Sequence, residues 1–129
     1  MEDPLESPKL FNKHQYINVE TFRKSGVGVR TPVWFVEHNG ELCFTTESGS
    51  GKVKRLRRNP AVMVAPCLPN GDLLGSWHPA QARFLTNDET RLVKKAYTRK
   101  YGVMKLFFDV MGLFRKSERV FIALTLDAQ

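Results

Sequence analysis

Asn39-Gly40, set between two apolar runs, constrains the fold of this chain more than any other pair of residues. Both residues tolerate the positive φ that a type I′ turn requires, so the flanking runs are directed into an antiparallel hairpin. Those runs, residues 29–37 and 41–46, are rich in the aromatic and β-branched side chains that suit strands. Residues 15–22 alternate, with Ile17, Val19 and Thr21 on one side and Tyr16, Asn18 and Glu20 on the other, which predicts a strand with one polar face. Lys24, Ser25 and Gly26 form the turn that follows it. Residues 61–67, 73–85 and 119–126 are further strands; the second bends near His78-Pro79, and the third turns Val120, Ile122, Leu124 and Leu126 one way. The pattern is six short strands, mostly joined by hairpins, which predicts a mainly β, antiparallel barrel. Pro32 interrupts the second strand. Lacking an N–H for the ladder, it implies a sheet edge, a bulge, or backbone that faces a ligand.

Helices are few. Thr86 and Glu89 have the spacing of a capping box, Val93, Tyr97 and Tyr101 follow one face, and Gly102 is the stop. The next segment, residues 103–114, is apolar nearly all round and too short to span a bilayer. A helix of that kind needs more than one surface to bury it, so it is expected to cover a subunit interface or a ligand site. Residues 1–14 read as a flexible arm and residues 15–129 as a single domain. With 42% hydrophobic and 26% charged residues, the composition is that of an ordinary soluble protein. Neither a signal peptide nor a membrane span is evident. Cys43 and Cys67 lie in apolar stretches without CxxC spacing, and read as reduced core thiols of a cytoplasmic protein.

The net charge of +7 implies an anionic partner. The stretch FTTESGSGKVKRLRRNP, residues 44–60, concentrates that charge. A strand passes through Ser48, Gly49, Ser50 and Gly51 into a short helix that starts at Lys52 and carries Lys54, Arg55, Arg57 and Arg58. Such a turn points backbone N–H groups and a helix N-terminus at one spot, which favours an anion. A lysine there opposes the helix dipole unless a phosphate answers it. The bland alternative is a solvated basic helix after a flexible turn. SGSGK lacks the spacer and the following Ser or Thr of a P-loop. The basic residues are not interleaved with exposed aromatics, so no nucleic-acid partner is expected.

No catalytic constellation is visible. His14, His38 and His78 are scattered, without the spacing of a metal site, and only His78, on a long strand between Trp77 and Pro79, stands apart from an ordinary surface or turn histidine. A phosphate-binding turn on a β scaffold without its own nucleophile or acid–base pair leaves the chemistry to a cofactor.

Taken in order, Arg30-Thr31-Pro32-Val33-Trp34-Phe35, the hairpin, Phe44-Thr45-Thr46, Ser50-Gly51-Lys52 and Asn59-Pro60 resemble the pyridoxamine 5′-phosphate oxidase-like, FMN-binding split β-barrel family. The likeness runs from about residue 16 to residue 85 and is strongest to the branch of small flavin- or deazaflavin-dependent oxidoreductases. It implies that Arg30, Thr31, Pro32 and Val33 lie against the isoalloxazine ring, which would account for Pro32. It implies that Thr45 and Thr46 meet the ring edge and ribityl chain, and that Ser50, Gly51 and Lys52 grip the phosphate, with Arg55 a second cation. The oxidases themselves have Arg-Lys where this chain has Gly51-Lys52, and neither their fifth-strand glutamine nor their C-terminal Arg–His motif has a counterpart. Pyridoxine phosphate is therefore not the expected substrate. The resemblance implies an oxidoreductase with bound flavin mononucleotide (FMN) or the deazaflavin coenzyme F-420, a small organic substrate, and a homodimer. The positive charge would suit the deazaflavin's anionic tail, as it would any phosphate. A non-catalytic flavin carrier is the alternative, and a basic nucleic-acid-binding barrel a weaker third. No catalytic side chain, metal ligand or membrane partner is assigned.

Overall fold

The computed structural model describes residue 11, residues 13–102 and residues 118–127. The apolar segment 103–114 and most of the expected N-terminal arm lie outside the described residues. Among the described residues seven strands and two helices follow in the order β1 (Tyr16–Phe22), β2 (Gly28–Trp34), β3 (Val36–His38), β4 (Glu41–Glu47), α1 (Gly51–Arg58), β5 (Ala61–Cys67), β6 (His78–Phe84), α2 (Asn87–Tyr101) and β7 (Arg119–Leu126). They form one sheet in the order β2-β1-β5-β6-β7-β4-β3, and every pairing is antiparallel. Both edges of that sheet belong to a single run of chain, with only Phe35 between β2 and β3. That run curls the sheet into a barrel.

The expected second strand is thus two strands, which makes the count seven instead of six. The reason is local to Phe35. Its backbone groups bond to α2 and not to a strand: its N–H donates to the Tyr101 hydroxyl at 3.0 Å, and its carbonyl accepts from Lys100 Nζ at 3.1 Å. The Tyr101 hydroxyl also lies within donating range of the Phe35 carbonyl and, at 2.8 Å, of Gln15 O. Tyr97 donates to Trp34 O at 2.8 Å, and the Trp34 and Tyr101 rings stack 4.8 Å apart. With its backbone groups satisfied in this way, the chain can leave one sheet edge and join the other.

The local signals explain most of the remainder. Asn39 (φ 52°) and Gly40 (φ 78°) make the hairpin with positive φ at both positions. The Thr86–Glu89 capping box is formed, and α2 ends at Gly102 with φ 54°. Pro32 sits on β2, a sheet edge, opposite Asn18. The expected strand over residues 73–85 is shorter, since regular pairing begins at His78 and Leu73 makes only an isolated bridge to Cys67.

The core fills both faces of the sheet. Inside the barrel lie Ile17, Val19, Phe35, Leu42, Phe44, Leu56, Val62, Val64, Ile122 and Leu124. Val120 and Leu126 pack on the same cluster, as the alternation of β7 predicts. Phe11, within the stretch read as an arm, is buried in this cluster with its ring edge-on to His78. A second cluster, Val36, Cys43, Val93, Ala96, Tyr97, Tyr101 and Ala123, lies beneath α2. Cys43 and Cys67 are free, buried thiols, pushed up by desolvation to about 12 and about 11. No helix among the described residues is long and apolar enough to cross a membrane.

Candidate functional site

The barrel has two unlike ends. One carries α1, the last residues of β1 and β4, and the first residues of β5 and β7. There the chain leaves β4 and Ser50 caps α1, its hydroxyl accepting from Val53 N at 3.3 Å. The helix therefore starts at Gly51, one residue earlier than the sequence pattern indicates. Thr46 Oγ1 lies 3.4 Å from the Ser50 hydroxyl. The helix packs on β1 and β4 and buries Val53 and Leu56.

Lys52, beside Val53, goes in with them and is only 9% exposed. Its ammonium lies 5.5 Å from the centre of the Phe44 ring, and no carboxylate pairs with it among the described residues. Burial, then the charges of Arg55 and Arg119, draw its pKa down to about 8. A buried charge is normally paired, because desolvating it otherwise costs several kcal/mol, on the order of the whole margin of stability. Here the charges near it are those of two further cations, Arg55 and Arg119.

Arg55 donates from Nε to Thr21 Oγ1 at 2.6 Å, and is held below its usual pKa by desolvation and by Arg23 and Arg58. A Cβ on Gly51 would come within 2.8 Å of Arg55 Nη1, so glycine at this position leaves room for the guanidinium. Arg119 reaches Thr45 with both Nε to Oγ1 and Nη2 to the carbonyl, each at 3.3 Å.

On β2 the expected ring-contacting residues divide between two faces. Thr31 and Val33 stand opposite Val19 and Ile17 and face inward, whereas Arg30 and Pro32 stand opposite Glu20 and Asn18 and face outward. Arg30 pairs with Glu20 at 3.0 Å and lies over the Trp77 ring at 4.7 Å. The Thr31 hydroxyl is buried without a hydrogen-bond partner among the described residues. Thr21 opposes Val29, so Thr31 is its diagonal neighbour across the strand pair, with Cβ atoms roughly 7 Å apart in such pairs. The unpartnered hydroxyl is thus one diagonal from the hydroxyl that Arg55 holds. Thr46 faces inward with Val120, and Thr45 outward with Phe121.

Of the ten residues the resemblance points to, the fold gathers Thr46, Ser50, Gly51, Lys52 and Arg55 around the start of α1. It links Thr45 to them through Arg119, and it sets Arg30 and Pro32 on the other face of β2. Sequence reading missed Arg119 and Thr21. Arg119 reads only as the first residue of a strand, and its place beside Thr45 depends on the β4–β7 register across a separation of more than 70 residues.

No protein-family model matches this sequence, and no curated protein sequence does either. Solved structures do match its fold. An F-420 reductase aligns with a TM-score of 0.64 at 18% identity, over 99% of this chain and 97% of that one. An FAD-binding protein from Mesorhizobium loti aligns with a TM-score of 0.67 at 15% identity, over 98% and 90%. HutZ, the heme storage protein of Vibrio cholerae, aligns with a TM-score of 0.67 at 13% identity, over 94% and 88%. The fold is the split β-barrel of the pyridoxamine 5′-phosphate oxidase-like proteins.

Proposed function

We propose that this protein binds a flavin-type cofactor, FMN or the deazaflavin F-420, and uses it as an oxidoreductase on a small organic substrate. The observation that carries the reading is Lys52, a buried cation flanked by Arg55 and Arg119 with no carboxylate among the described residues to answer it. A phosphate supplies the missing charge. Ser50, Gly51, Lys52 and Arg55 would hold it, joined by Arg119. The buried, unpartnered Thr31 hydroxyl supports a polar ligand atom next to β2, where Arg30, Pro32 and Val33 would flank the ring, with Thr45 and Thr46 towards the ribityl chain. When bound, such a cofactor supplies hydride transfer, and the protein supplies binding, orientation and exclusion of water.

Heme, which HutZ stores, fits less well. His14, His38 and His78 precede or open β1, β4 and β6 at the end of the barrel opposite α1, away from Lys52 and Arg55. A non-catalytic flavin carrier shares the phosphate grip, and only turnover separates it from an enzyme.

The test is the absorbance spectrum and mass of whatever co-purifies, followed by fluorescence titration with FMN and F-420. The expected result is a flavin-type spectrum and tight binding that Lys52→Ala weakens about 10- to 100-fold, the worth of one charge-assisted contact. A heme spectrum, or affinity unchanged in Lys52→Ala, would overturn the assignment. Reoxidation of the reduced cofactor by an organic acceptor distinguishes oxidoreductase from carrier.

We also propose a homodimer, motivated by Leu106, Phe107, Val110, Met111 and Phe114 in the segment outside the described residues. Left exposed, they would form a larger apolar patch than soluble monomers usually carry. Light scattering at micromolar concentration should give twice the chain mass of 14.8 kDa. A monomer mass refutes it.

A further inference from the structure

The basic character of α1 does not end at the phosphate grip. Lys52, Arg55 and Arg58 recur every three residues, a rise of about 4.5 Å per step along the helix. The stripe is fastened to the end of β1. Arg55 donates to Thr21 Oγ1 at 2.6 Å and Arg58 Nη2 to Phe22 O at 2.7 Å, and the next residue in the chain is Arg23. Two guanidiniums are thus anchored where β1 ends, and Arg23 is next to them along the chain. Their mutual repulsion registers on Arg55, which Arg23 and Arg58 both hold below its usual pKa. Nε of Arg55 and Nη2 of Arg58 are committed to the protein; the remaining guanidinium N–H groups of both have no acceptor among the described residues. Arg57 leans the other way, onto the Phe84 ring at 4.4 Å, and takes no part. No carboxylate pairs with Arg23, Arg55 or Arg58 among the described residues.

One phosphate at the start of α1 carries a charge of about −1.5 to −2 and has enough oxygens for Lys52 and a neighbour. It leaves Arg23 and Arg58 unanswered one to two helical turns away. We infer that Arg23, Arg55 and Arg58 form a second anionic subsite contiguous with the first, able to take a further anionic group of the ligand beside the first phosphate, as in a diphosphate. The inference rests on the phosphate grip proposed above, with Arg55 shared between the two positions. Planar guanidiniums with two parallel N–H groups suit oxygen pairs of this kind better than ammonium groups do.

The test uses probes that need no flavin. Orthophosphate, pyrophosphate and tripolyphosphate are titrated into the full-length protein by calorimetry, and into the double variant Arg23→Gln/Arg58→Gln. The expected result is tighter binding as the anion lengthens, at least tenfold from orthophosphate to pyrophosphate. The double variant should lose most of that gain while its orthophosphate affinity changes less than threefold. Its melting temperature is taken alongside, and Arg57→Gln serves as a control for net charge. Equal affinity for the three anions overturns the subsite. So does a loss of the same size in Arg57→Gln, since that would be the field of a basic surface and not a site. FMN and FAD are titrated in parallel, FAD being expected to bind the more tightly. If neither flavin binds while the polyphosphate series behaves as stated, the flavin reading fails and the subsite stands. If FMN binds and the polyphosphates are not distinguished, the reverse holds.

Discussion

Lys52 and Lys100 are both buried enough for desolvation to bring their pKa down to about 8, yet their surroundings differ in kind. Lys100 is satisfied. It donates to Phe35 O at 3.1 Å, its ammonium lies 3.7 Å from the centre of the Phe35 ring, and it closes the strand break together with Tyr101. Lys52 has one distant aromatic face and two neighbouring cations. A buried cation with carbonyl and ring partners belongs to the structure. One without an anion, with other cations near it, supports the phosphate proposed for that position.

The largest effect should come from the satisfied end. The Tyr101 side chain stacks on Trp34, and its hydroxyl meets both backbone groups of Phe35. Tyr101→Ala should destabilise the fold by about 3–5 kcal/mol, the usual range for deleting a buried aromatic. Urea unfolding without added ligand measures it. Lys52→Ala should leave the same curve almost unmoved, and a comparable loss there would break the contrast between the two ends.

Next in size is the pH dependence of cofactor affinity. A phosphate binds the charged form of Lys52. Below pH 8 that form already predominates, whereas above it the lysine must take up a proton on binding. Affinity should therefore fall as pH rises through about 8, approaching tenfold per unit until the pKa of the bound state is reached. Titrations at pH 7, 8 and 9 check it. A flat profile, or one unaltered in Lys52→Arg, would remove Lys52 from the phosphate site.

The two regions are unequally legible in the sequence. Local signals carry far: Asn39-Gly40, the Thr86–Glu89 box, Gly102 and the alternation of β1 and β7 each specify their own geometry. The cluster at Ser50, Gly51 and Lys52 is legible because its members are adjacent in the chain. What escapes depends on distant pairing. The break at Phe35 is made by side chains 65 and 66 residues away, and nothing in residues 29–37 announces it. Arg119 joins the site only through the β4–β7 register. Asn18 belongs by alternation to a polar face, yet it is only 6% exposed beneath the turn at Gly71, whose carbonyl it reaches at 3.1 Å. Periodicity tells which side of a strand a residue takes, and a loop that folds over that side leaves no mark in the strand's own sequence.

The smallest prediction sharpens the contrast most, because it asks for opposite signs. In the free protein Lys52→Met removes an uncompensated charge and keeps an apolar stem of similar length. It should raise stability at pH 7 by about 1 kcal/mol, as replacing unfavourable buried charges with apolar groups often does. Lys100→Met removes a hydrogen bond from an ammonium to a carbonyl, and should lower stability by about 1 kcal/mol, with the Tyr101 hydroxyl still serving Phe35. The pH response follows from the depressed folded pKa. Between about 8 and 10.5 the unfolded chain binds more protons at Lys52 than the folded one, so the Lys52 contribution to wild-type stability rises with pH in that window. The advantage of Lys52→Met should therefore shrink from pH 7 to pH 9. The range stops there because the raised pKa of Cys43, Cys67 and the two buried tyrosines works the other way: above about pH 9 the unfolded chain releases those protons first, which opposes the Lys52 trend. Urea midpoints for wild type and both variants at pH 7, 8 and 9 decide it. If both variants lose stability equally, Lys52 is as much a part of the structure as Lys100, and the case for an absent anion at α1 goes with it.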